Sequence, residues 1–82
     1  MPTSEHEGEQ PFRIYTPASF GQAIRHYRTQ AGLTQDELAE RVGIDRTYLS
    51  RLEGGGETRQ LRRILAILRE LGIKASLERA DW

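Results

Sequence analysis

The sequence predicts an all-α domain of four to five helices with one short C-terminal β-strand, and three observations carry that expectation. Apolar residues recur at three- and four-residue spacing through most of the chain, the period of an amphipathic helix. Glycines fall where those runs stop, as at Gly32, Gly43 and Gly72. After Gly72 the period changes to two, with Ile73, Ala75 and Leu77 alternating with Lys74, Ser76 and Glu78.

Length and composition bound the function. A chain of 82 residues makes one domain with one small core, since at this size only about 60% of the unfolded surface is buried, and dimerisation would help it. There is no cysteine, and His6 and His26 are the only histidines; disulfides, thiolate metal sites and a histidine zinc site are excluded, and no cofactor is expected. No serine, histidine and carboxylate set has triad spacing, so the chain does not read as an enzyme. The longest apolar run, Ile64 to Leu68, is far short of a membrane span. Met1 to Gln10 lacks the basic and apolar regions of a signal peptide, which makes a cytoplasmic protein the plain expectation.

Taken in order, residues 1–11 form a polar, acidic arm that cannot offset its own ordering entropy and is expected to be disordered. Phe12 to Thr16 lies between Pro11 and Pro17 and is rich in strand formers; a short strand and an extended arm with Phe12 or Ile14 tucked into the core are both open. Thr16 and Pro17 read as N-cap and first-turn proline of a helix running to about Ala31. Its apolar stripe is Phe20, Ile24, Tyr27 and Ala31, and Gly21 implies close backbone packing. His26 reads as an exposed flank residue.

Thr34 followed by Glu37 is a capping box, so the next helix begins at Gln35. Leu38, Ala39 and Val42 form its apolar stripe, small Ala39 suits a steep helix crossing, and Gly43 supplies a left-handed stop. Asp45 is placed to cap a second short helix whose Leu49 and Leu52 point inward, which turns Arg46, Thr47, Ser50 and Arg51 outward. Two short helices joined by a glycine turn is the layout of a helix-turn-helix. Gly54 to Thr58 reads as a flexible linker; its glycines lack the lysine and preceding strand of a phosphate loop. From Arg59, capped by Thr58, the residues Leu61, Ile64, Leu65, Leu68 and Leu71 form one stripe that Ile67 widens beyond what a small core needs, so part of it suits a second subunit. A strand of six or seven residues from Ile73 must then find a partner, either Phe12 to Thr16 or the same strand of another copy.

The pattern GLTQDELAERVGI…LSRLEG over roughly residues 17–72 resembles the Xre/Cro-type helix-turn-helix repressors of bacteria and their phages, carried by Gly32, Leu33, Thr34, Gln35, Leu38, Ala39, Gly43, Ser50 and Glu53. The helix order and the ending LRELGIKASLE resemble the HipB-like antitoxin branch. This likeness implies a lambda-repressor-like fold, a DNA-binding domain over residues 12–72, and a strand and tail over residues 73–82 that pair across a homodimer through Leu68, Leu71, Ile73, Ala75 and Leu77. It implies a structural ion pair between Arg28 and Glu53. It also places Arg46, Thr47, Ser50 and Arg51 on the DNA-facing surface and Gln35 on a phosphate, with Thr34 and Tyr48 beside them; for Tyr48 a phosphate contact and packing beside Leu52 are both open. Arginine suits guanine because only the guanidinium offers two parallel donors to O6 and N7.

The resemblance implies double-stranded DNA with a palindromic operator as partner. The preferred role is an antitoxin that represses its own operon and binds a HipA-type kinase toxin. A phage or restriction-modification regulator is an alternative, and so is a protein-binding module that uses the fold without DNA. The last is favoured by the charge balance, 12 basic against 12 acidic side chains, because nucleic-acid binders usually carry a positive excess. Distribution softens the objection: residues 1–20 hold Glu5, Glu7 and Glu9 against Arg13, a net of −2, which leaves +2 on residues 21–82. Trp82 is an exposed-aromatic candidate for capping the dimer or anchoring a partner.

Overall fold

The computed structural model describes residues 12–56 and 59–80. Their order is β1 (Phe12–Ile14), α1 (Pro17–Gln30), α2 (Gln35–Val42), α3 (Arg46–Glu53), α4 (Arg59–Glu70) and β2 (Ala75–Leu77). The readings of the acidic arm, of Thr58 as a cap and of Trp82 lie outside the described residues.

Local chemistry accounts for the helix starts. Thr16 caps α1 with Pro17 behind it, and Ser19 completes a capping box: its N–H donates to Thr16 Oγ1 at 3.2 Å while its own Oγ accepts from Thr16 N at 3.0 Å. Thr34 and Glu37 form the expected box on α2, with Glu37 N to Thr34 Oγ1 at 3.0 Å and Thr34 N to Glu37 Oε1 at 2.8 Å. Those bonds, the backbone one first, hold the Glu37 carboxyl below its usual range. Asp45 departs from expectation. It occupies the N-cap position of α3 with extended backbone, but its carboxylate makes no cap hydrogen bond, so its contribution to the helix start is made by the main chain.

The stops are made by glycine. Gly43 sits at φ +77° and its N–H reaches Ala39 O, turning the chain between α2 and α3. Gly54 to Gly56 is a built stop and not the slack linker expected. Gly55 takes φ +88° and donates to Leu52 O at 3.1 Å, and Gly56 donates to Arg51 O at 2.8 Å, the paired bonds of a Schellman motif. Gly55 also lies against Ala18 at the start of α1.

The core has two parts. Around the helix-turn-helix, α1, α2 and α3 approach through very small residues: Gly21 and Ala39 are buried, with Leu49 and Glu53 of α3. Gly21 meets the main chain at the end of α3, where a Cβ would fall 2.1 Å from Leu52 O, so only glycine fits. The α1 stripe is thus centred differently from the spacing alone. Phe20, Ile24 and Tyr27 are half-buried and Ala31 is exposed. Val42, expected inside, is 57% exposed, because α2 ends there and only its Ala39 side is covered.

The second part packs Ile14, Ala23 and Leu65 with Phe12, Phe20, Tyr27, Leu61, Leu68, Ala75 and Leu77. Here the C-terminal strand takes the partner within the chain: β1 and β2 are antiparallel, pairing Phe12 with Leu77, Arg13 with Ser76 and Ile14 with Ala75. The strand is three residues long and excludes Ile73. Tyr27 donates its hydroxyl to Leu77 O at 3.1 Å, and Arg69 Nη2 donates to Tyr15 O at 3.2 Å, tying the sheet to α1 and α4. His26 is not a free flank residue. It is half-buried, its ring centroid 4.8 Å from Phe12 and 5.2 Å from Tyr27.

Candidate nucleic-acid interface

α3 presents Arg46, Thr47, Tyr48, Ser50 and Arg51 to solvent, while Leu49 and, at its C-terminal end, Glu53 are buried. Residues 46, 47, 50 and 51 fall within one arc of an α-helix, so the exposed polar set is a single face with a fixed backing. The side chains on it offer two guanidinium forks and two hydroxyls, donors suited to base edges and phosphate oxygens. Tyr48 is about half exposed.

Glu53 is what anchors the end of the helix. Its carboxylate takes Arg28 Nε at 2.6 Å and Arg28 Nη2 at 2.9 Å, a bidentate pair joining α1 to the end of α3. Arg28 Nη1 continues to Leu33 O at 2.8 Å in the turn before α2. Gln35 Nε2 adds a third bond to Glu53 Oε1 at 2.9 Å. One buried carboxylate therefore joins all three helices, and no buried side-chain polar atom among the described residues lacks a partner. The Arg28 hydrogen bonds pull the Glu53 carboxyl below its usual range against the opposing effect of burial, with help from Gln35. The same pair, Glu53 first, raises Arg28.

The expected ion pair is thus formed, and Gln35, expected on a phosphate, has one amide hydrogen committed to Glu53. Its backbone N–H in the first turn of α2 and its second amide hydrogen are the donors left for an anion. Thr34 is exposed with its hydroxyl oxygen engaged in the capping box, leaving the O–H as donor. Gln35 lies in a shallow cleft of about 280 Å³ lined by Arg25, Arg28, Ser50, Glu53 and Gly54.

Two residues of this surface are absent from the expectations drawn from the sequence. Arg25 reaches the cleft and exerts a charge effect on Glu53; its position three before Arg28, on the same helix face, is the signal that points to it. Asp36 lies beside Arg46, Oδ1 to Nε 3.5 Å, and nothing in the local sequence pattern pairs residues on two different helices.

The residues expected at a subunit interface divide. Leu68, Ala75 and Leu77 are half-buried in the chain's own core, whereas Leu71 and Ile73 are 65% and 51% exposed. They are joined by Ile64 and Ile67 of α4, 49% and 56% exposed.

A family model described as a helix-turn-helix domain matches residues 19–82. Among curated proteins, an uncharacterised HTH-type transcriptional regulator of Sinorhizobium fredii is 40% identical over 60 residues, covering 73% of this chain and 79% of its own length. Antitoxin HipB of Escherichia coli is 32% identical over 65 residues, 79% of this chain and 74% of its own. An uncharacterised HTH-type transcriptional regulator of Methanothermobacter thermautotrophicus is 47% identical over 49 residues, 60% of this chain and 71% of its own. No solved structure matches at a comparable level. With the two short helices, the left-handed glycine between them and the matched residues all in place, the chain belongs to the Xre/Cro-type helix-turn-helix family, in its HipB-like branch.

Proposed function

We propose that this protein is a dimeric, sequence-specific DNA-binding transcriptional repressor, acting as the antitoxin of an operon that it represses and binding a HipA-type kinase toxin. The observation that carries the DNA reading is the exposed face of α3, with Arg46, Thr47, Ser50 and Arg51 outward and Glu53 pinning the C-terminal end of the helix. A helix held this way enters the major groove with its first residues against base edges. The cleft beside Gln35 and Arg25 takes the phosphate backbone. The likeness to antitoxin HipB supports the antitoxin role.

Binding by one copy is weak on a chain of zero net charge, so two copies engage half-sites roughly 34 Å apart. The exposed Ile64, Ile67, Leu71 and Ile73 supply the apolar face that joins them. A salt titration of binding to a selected duplex tests the reading. Affinity falls steeply with added salt if several phosphates are contacted; a flat response favours the alternative of a protein-binding module. Co-purification with the product of an adjacent kinase-like gene tests the toxin partner.

A further inference from the structure

We propose that Asp36 is a positioning residue for base recognition: it steers the Arg46 guanidinium toward its base and weakens binding to every sequence in which that base is absent. The inference rests on the DNA reading above and assigns a specificity role to a residue of α2 that itself faces no base.

Asp36 Oδ1 lies 3.5 Å from Arg46 Nε, with side chains 77% and 62% exposed. An ion pair so exposed contributes little to folding, so stability does not explain it. The geometry is suited to another task. The approach is from the Nε edge, and the guanidinium has five N–H donors, so its far edge is left for two acceptors such as guanine O6 and N7. An unsupported arginine at the first position of α3 samples many rotamers; one steered by Asp36 loses less freedom when it docks. Entry into the groove removes water from the pair and strengthens the attraction.

The same carboxylate acts against wrong sites. On a non-cognate duplex Arg46 gains no base contact, and Asp36 remains a negative charge beside phosphates. Specificity is a difference between affinities and rises when the wrong complex is penalised.

The test is selection of duplexes from a random library by the full chain, followed by affinity measurements on the selected site and on base-substituted versions. Wild type, Asp36→Asn, Arg46→Ala and the double variant are compared. Wild type is expected to require a guanine that Arg46→Ala ceases to require. In Asp36→Asn the preference for that guanine falls about 5- to 10-fold, toward the lower end of what one bidentate contact supplies, while affinity for unrelated duplexes rises. Asp36→Glu restores part of the preference. In the Arg46→Ala background, Asp36→Asn leaves base preference unchanged, the signature of coupling through Arg46.

A purely electrostatic role for Asp36 shifts affinity for all sequences equally and leaves the preference ratio intact, and that result overturns the proposal while the DNA reading stands. Failure of wild type to enrich any sequence overturns both. Melting curves of the variants confirm that each is folded before its preferences are compared.

Discussion

The helix-turn-helix and the C-terminal body close their interiors in opposite ways. Around α1, α2 and α3 the buried residues are small or charged: Gly21, Ala39 and Glu53, with Leu49 the one large apolar side chain. Backbone contact and a three-way hydrogen-bonded carboxylate set the geometry, and the apolar surface left exposed on that side is at Val42, Ile44 and Tyr48. The body built from α4 and the two-stranded sheet has the larger apolar inventory, yet Leu65 is its only buried residue on α4, and Ile64, Ile67, Leu71 and Ile73 stay exposed. The first region is closed by contacts within one copy, whereas the second leaves an apolar face uncovered, the face proposed above to join two copies; the lesson is that the geometry of the α3 surface does not depend on covering that face.

The sharpest way to break the first region is Gly21→Ala. The added Cβ meets a main-chain carbonyl at 2.1 Å, which cannot rotate away, so a loss of about 3 kcal/mol or more is expected in denaturant unfolding. Next comes Glu53→Gln, which leaves Arg28 without its charged partner in a buried site and costs roughly 3 kcal/mol. The acid limb of stability tests the same residue. Glu53 and Glu37 have folded-state pKa values below their unfolded ones, so their contribution is fully present above the usual glutamate value, about 4.3. It is lost as pH falls from there through the lower folded values. Unfolding followed from pH 7 to 2 therefore shows a plateau and then a decline, and Glu53→Gln flattens that decline.

The body responds differently. Ile67→Glu combined with Leu71→Glu is expected to abolish dimers in sedimentation and to weaken operator binding, while monomer stability changes by no more than about 0.5 kcal/mol per exposed site. Loss of the fold in this variant would erase the distinction between the two regions. The smallest effects compare two helix starts within the reading head. Thr34→Ala removes a working capping box and costs about 1 kcal/mol; Asp45→Ala removes a carboxylate with no cap bond and stays within about 0.5 kcal/mol. Equal losses would show that Asp45 caps in solution.

Much of this was legible in the sequence because it is local. The capping box of Thr34 and Glu37, the Thr16-Pro17 start and the left-handed Gly43 depend on residues within four positions of one another, so their chemistry is written in the spacing. The change of period after Gly72 marked a strand in the same way, and the resemblance to the repressor family supplied Arg28 with Glu53. Tertiary contact decided the rest. The residues left open whether the C-terminal strand pairs with Phe12 to Thr16 or with another copy, because alternation defines a face and not a partner; the resemblance pointed to another copy, and the fold pairs it with Phe12 to Ile14 of the same chain. Val42 and Ala31 sit on predicted stripes but are exposed, since periodicity marks a helix side and only packing determines how far along it the neighbour reaches. Gly54 to Gly56 looked like slack chain because a Schellman stop and a linker use the same residue. Gln35 bonded to Glu53 and Asp36 set beside Arg46 join residues from separate helices. Such pairs exist only once the α2–α3 turn and the Gly21 contact have fixed the angles between helices, and no rule of spacing contains those angles.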